Sequence, residues 1–139
     1  MKFSTYDIFS DQNYANDDEH ATVINCLVHL LSTDKIDIRG FEMWFKNGHV
    51  GGDIAWGISD WDEYMAEDHN IHEKFDGYLF YIDADEHGDL SRGEDQKILT
   101  KEEIKPFIKS IIEHYLKIDI QNNTGVWNLI WLSKDFGFY

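Results

Sequence analysis

The chain has one cysteine and one proline among 139 residues. A lone Cys26 cannot close an internal disulfide, and it excludes a metal site built from cysteines. No run of 18 apolar residues occurs, so the sequence offers no membrane-spanning helix. The opening residues, Met1-Lys2-Phe3-Ser4-Thr5-Tyr6-Asp7, lack the basic and then apolar pattern of a secretory signal, and the cytoplasm is the expected compartment. Glycine-rich phosphate loops are missing, as are GxSxG, HExxH and HxxEH. Basic residues are scarce too: 12 against 27 acids, for a net charge of −15. That balance argues against direct binding to nucleic acid or an anionic membrane, which both need a basic surface. It suits a basic partner.

What is present is a core's worth of apolar residues. The hydrophobic fraction is 42% and aromatics alone make 15%. Disordered chains are poor in aromatics, and a chain of this length buries enough surface to hold one core. One domain over residues 1–139 is expected.

The acid is concentrated. Residues 53–95 hold 14 acids and 2 bases, whereas residues 1–52 hold 8 and 4. Residues 96–117 reverse the balance, with 3 acids and 5 bases. A solvated face is the plain reading of such a run. However, concentrated like charge costs stability through self-repulsion. The same stretch carries Trp56, Trp61, Tyr64, Phe75, Tyr78, Phe80 and Tyr81. Trp56 and Trp61, among Gly57, Asp60 and Asp62, look poorly placed for burial. Aromatics beside carboxylates fit an interface aimed at a cationic partner.

Periodicity supplies the elements. Residues 1–15 read as an irregular aromatic lead-in. A helix is predicted over 17–32, capped by Asn16, with Ile24, Leu27, Val28 and Leu31 on one face. A second, over 38–46, has Asp37 as cap, Phe41, Trp44 and Phe45 on its face, and Asn47-Gly48 as its stop. Residues 49–60 read as one glycine-broken strand, and 61–72 as a short acidic helix or a loop. Residues 77–83 form the clearest strand, and a polar excursion leads to another at 96–99. Thr100 and Glu103 form a capping box for a helix over 101–117. Pro106 should bend it. A last helix over 124–134 is expected to bury Trp127, Ile130 and Trp131. The whole reads as α+β, helices packed on a small antiparallel sheet.

Few motifs carry chemistry. Residues 83–94 match a calcium loop in part: Asp83, Asp85, Gly88, Asp89 and Glu94 occupy suitable positions. His87 stands where oxygen is wanted, and the entering segment is strand-like, so an acidic turn between strands is the expectation. His69 and His72 lie three apart beside Glu73, and are expected as exposed polar residues. Cys26 falls on or near the apolar stripe of its helix, where a thiol acts as a small hydrophobe. Asp60/Asp62, Glu67/Asp68 and Asp83/Asp85 are carboxylate pairs of the kind a hydrolase uses, but a charge run supplies such pairs by chance.

The order and texture of residues 25–117 carry a resemblance. Asn25-Cys26-Leu27-Val28-His29-Leu30-Leu31 is followed by Gly48-His49-Val50-Gly51-Gly52-Asp53. An acidic stretch then runs into Phe75-Asp76-Gly77-Tyr78-Leu79-Phe80-Tyr81. After a turn come Ile98-Leu99-Thr100-Lys101-Glu102-Glu103 and Glu113-His114-Tyr115-Leu116-Lys117. This succession resembles the CdiI-type immunity proteins of contact-dependent growth inhibition, which neutralise ribonuclease toxins. The insertion at 84–95 and the Trp-rich tail at 124–139 depart from that pattern. The resemblance implies a non-catalytic cytoplasmic inhibitor without a cofactor, whose partner is the basic C-terminal domain of a cognate nuclease toxin. The residues expected to meet it are Asp53, Trp56, Asp60, Trp61, Asp62, Glu63, Tyr64, Glu67 and Asp68. Asp83, Asp85 and Glu86 form an alternative patch.

Overall fold

Four strands form one antiparallel sheet in chain order, and most of the helices pack against one of its faces. The computed structural model describes residues 8–9, 18–31, 37–52, 55–91, 93–118 and 124–139. The elements are α1 (Asp18–Val28), α2 (Arg39–Asn47), β1 (His49–Gly52), β2 (Trp56–Asp60), α3 (Met65–His69), β3 (Tyr78–Ile82), α4 (Ala84–His87), β4 (Asp95–Leu99), α5 (Lys101–Ile118) and α6 (Thr124–Asp135). The α+β expectation holds. Among the described residues no helix is long and apolar enough to cross a membrane.

Local signals explain most boundaries. The helix α5 opens with a reciprocal capping box: the Glu103 N–H donates to Thr100 Oγ1 at 3.2 Å, and the Thr100 N–H donates to Glu103 Oε1 at 3.0 Å. Pro106 sits in the exposed face of that helix. Helix α2 stops at Gly48, which adopts φ 87° and donates its N–H to the Trp44 carbonyl at 2.8 Å. Only glycine takes that left-handed conformation without strain. At the other end of α2 the cap falls on Ile38, one residue later than expected. Asp37 still serves the helix, because its Oδ1 accepts the Arg39 N–H at 3.0 Å. The Asn16 cap expected for α1 lies outside the described residues.

The segment 49–60 is two strands, not one. β1 pairs with β2 as a hairpin, His49 opposite Ser59 and Gly52 opposite Trp56. The glycines lie within the two paired strands, Gly51 opposite Gly57, and the chain reverses between Gly52 and Ala55. The Ala55 N–H closes onto the Gly52 carbonyl at 3.0 Å. β2 then pairs with β3, and β3 with β4.

The main core lies between the sheet and the helices. Phe80, Ile82 and Ile58 from the sheet meet Val23, Cys26 and Leu27 of α1, and the Ile104, Phe107, Ile108, Ile111, Ile112 and Tyr115 stripe of α5. The Trp44 ring lies 5.3 Å from Phe138, 5.7 Å from Tyr78 and 6.0 Å from Phe80. Each fully buried Phe here contributes roughly 1.5–3 kcal/mol relative to exposure.

Two expectations about tryptophan are corrected. Trp127 and Trp131 are exposed, because α6 turns Val126, Leu129, Ile130 and Ser133 inward. Those four follow the i, i+3, i+4, i+7 spacing of a buried face, and the tryptophans fall off it. Trp56 errs the other way. It is buried, as an inward position of β2, and its ring stacks on His29 at 4.6 Å and 7°.

Candidate functional site

Side chains alternate across a strand. Tyr78, Phe80 and Ile82 point to the helical core, so Leu79 and Tyr81 point to the opposite face of the sheet. That second face is covered by the five-residue α3, the helical option left open for 61–72. Met65 of α3 and Leu79 are both buried yet stand outside the main cluster.

One ion pair fixes α3 in place. His69 Nδ1 lies 2.8 Å from Glu94 Oε1, and Gln96 Nε2 donates to the His69 carbonyl at 2.7 Å. The His69 ring rests on Tyr81, with centroids 4.3 Å apart. His69 is therefore not the exposed polar residue expected. His72 is, and it bonds Asn70 beyond the end of the helix, so the two histidines share no helix face. The hydrogen bond to Glu94 holds the His69 pKa above its ordinary value, against the opposing effect of burial, with Glu94, Asp68 and Asp62 adding attraction. Burial raises the Tyr81 pKa, and the nearby Glu94 acts in the same direction.

Depressions flank α3 on both sides. One, of about 350 Å³, opens towards the β1–β2 hairpin and is lined by His49, Ser59, Asp62 and Tyr81. The other, of about 490 Å³, is lined by Glu67, Asp83, Glu94 and Gln96. Asp68 and His69 line both. The first depends on a close approach at Gly57, where any Cβ would collide with the Tyr81 hydroxyl.

The expected contact residues distribute unevenly over this surface. Glu67 and Asp68 share the second depression with Asp83, so two patches expected as alternatives adjoin. Asp62, Glu63, Tyr64 and Asp85 are exposed. Trp61 is half buried, its indole N–H enclosed without a partner among the described residues, and Lys74 Nζ lies 5.5 Å from its ring centre. Burial pushes the Asp60 carboxyl above the usual range, with His49 opposing and Asp62 reinforcing. Glu86 lies away from α3, 3.6 Å from His29 beside the Trp56 stack. Trp56 itself is withdrawn from the surface, and Asp53 lies outside the described residues.

These acids are left without neutralising bases. Asp60, Asp62, Glu63, Glu67, Asp68, Glu73, Asp76 and Asp85 form no ion pair with a described lysine or arginine. Two ion pairs of this acidic stretch, His29–Glu86 and His69–Glu94, are made with histidine.

The 83–94 segment engages several of its oxygens in local hydrogen bonds. Asp83 caps α4 by accepting the Asp85 N–H. Asp89 Oδ1 accepts from both the Ser91 N–H and Oγ, and Glu94 is engaged by His69 and Gln96. His87 bridges the turn: Nδ1 accepts the Asp89 N–H at 3.0 Å, and Nε2 donates to the Gly93 carbonyl. The expected acidic turn between two strands is thus a one-turn helix and a closed loop. Among the described residues no three His, Cys, Asp or Glu side chains are grouped to hold a metal ion.

Cys26 is buried, and burial pushes its thiol up to about 12, far from the range of a nucleophile. Sγ faces the carbonyls of Tyr81 and Gly57 at 3.4 and 3.6 Å.

His69, Glu94 and Tyr81 were not legible as a group. Alternation in β3 indicates that Tyr81 opposes Phe80, but nothing in the sequence joins residues 69 and 94. The class that fold and site define is a small α+β protein with an acidic, aromatic sheet face capped by α3. No family model matches the chain, and no curated protein or solved structure shows significant similarity to it.

Proposed function

We propose that this protein is a non-catalytic, cytoplasmic immunity protein that binds a cognate nuclease toxin domain and occludes its basic active-site cleft. One observation carries the reading: carboxylates unmatched by lysine or arginine surround α3, with Trp61 and exposed Tyr64 among them. Unpaired surface charge repels itself and costs stability. A cationic partner removes that cost on binding and is drawn in by the same field. The aromatic side chains supply the anchors that slow release. The resemblance of residues 25–117 to CdiI-type immunity proteins supports the same reading.

The test is co-purification with the toxin polypeptide encoded beside it, followed by a nuclease assay. Stoichiometric capture and loss of nuclease activity are expected. Stopped-flow association should slow steeply as added salt brings the Debye length below about 10 Å. Failure to capture the toxin at low salt would refute the proposal.

A further inference from the structure

Helix α6 exposes Trp127 by 49% and Trp131 by 63%, and Tyr139 is 45% exposed. They form one patch. Trp127 and Trp131 lie one helical turn apart. The Lys134 ammonium stands 5.8 Å from the Trp131 ring centre and 5.9 Å from that of Tyr139. Large exposed aromatic patches mark interaction sites, and Trp and Tyr are the commonest anchors of interfaces. Tyr139 also lines a groove of about 640 Å³ with Pro106 and the stems of Lys105 and Lys109.

Charge indicates what covers this face. Residues 1–95 hold 22 acids and 6 bases, whereas residues 96–139 hold 5 and 6. The charges beside the groove are locally matched, Lys105 to Glu102 at 2.9 Å and Lys109 to Glu113 at 3.9 Å. A strongly basic partner is drawn to the acidic side of the molecule instead. Two copies of a chain carrying −15 repel each other everywhere except across a near-neutral face. Here exposed aromatics and a groove share Tyr139, an arrangement in which a two-fold axis would set the aromatics of each copy against the groove of the other.

We propose that the Trp127–Trp131–Tyr139 face is the interface of a two-fold symmetric homodimer, which leaves the α3 surface of each copy free. The proposal does not depend on the toxin reading, because its assay contains no toxin. Sedimentation of the purified full chain over a concentration series should show a reversible monomer–dimer equilibrium. Added salt should strengthen it by screening the repulsion between copies, the opposite of its effect on toxin capture. Trp131→Ala should raise the dimer dissociation constant about thirtyfold or more, and Trp127→Ala should also weaken it. Asp68→Asn, on the other face, should leave the dimer intact. Both tryptophans are exposed, so the variants should retain native circular dichroism. A chain that stays monomeric at every concentration and salt overturns the proposal, as does a dimer unmoved by both substitutions.

Discussion

His69 and Glu94, 25 residues apart in the chain, meet at 2.8 Å and tie α3 to the segment that leads into β4. The pKa of His69 in the folded protein is raised above its ordinary value of 6.5. The native state therefore holds this proton more tightly than the unfolded chain does. The resulting stabilisation is complete below pH 6.5 and is lost as pH rises through the raised folded value. Glu94→Gln should remove this dependence, costing more stability at pH 6 than at pH 9. Denaturant melts of both proteins across that range, with the His69 ring titrated by NMR, provide the check.

Cys26 behaves in the opposite pH range. Folding moves its thiol from an ordinary 9.0 to about 12. Between those values the unfolded chain ionises while the native thiol stays neutral, so stability falls as pH rises. The slope for this group alone approaches about 1.4 kcal/mol per pH unit. Alkylation at pH 8 should leave the native thiol unmodified and label it fully in denaturant. Rapid native labelling would contradict the burial described.

Gly57 leaves room for Tyr81, and Gly57→Ala should force the phenol off the His69 ring. The expected cost is about 1–3 kcal/mol, the range for overpacking. Adding Tyr81→Phe should recover little of that loss, because the ring carbons Cζ and Cε1 would still collide with the new Cβ. Thermal melts of the single and double variants read this directly.

The two tryptophans of the acidic stretch should separate cleanly. Trp61→Ala should weaken toxin binding by about 2 kcal/mol or more, roughly thirtyfold, if Trp61 is an anchor. Trp56→Ala should chiefly destabilise the fold, by about 3–5 kcal/mol, since its ring is buried against His29. Asp62→Asn should mainly slow association. Stopped-flow kinetics, read beside circular dichroism of each variant, distinguish the three.

Thr100→Ala removes one half of the α5 capping box and should cost about 1 kcal/mol, measured by denaturant unfolding. This box was legible because cap and stripe both lie within a few residues of each other. The same locality made α2 and β3 readable. Helix α6 was legible as a helix but not in its phase. Trp127 and Trp131 carry more apolar surface than their neighbours, whereas burial follows Val126, Leu129 and Ile130. Residues 49–60 defeated periodicity because alternation does not say where a glycine-rich chain reverses. The site was legible in charge and composition only. The contact of His69 with Glu94 and Tyr81 depends on how α3 docks on the sheet, and no spacing in the chain encodes that.

A sheet whose strand order follows chain order can assemble as it is synthesised. Each strand's partner is the next to appear, so every pairing closes a short loop. Helix α1 has no such convenience. It is made before the sheet, yet it packs against β2, β3 and β4, and its Cys26 faces carbonyls 31 and 55 residues further along. Its apolar face must wait, uncovered, until β3 has emerged from the ribosome. The thiol that is inert in the finished protein is thus unshielded in the nascent one until the strands bearing Gly57 and Tyr81 have been made.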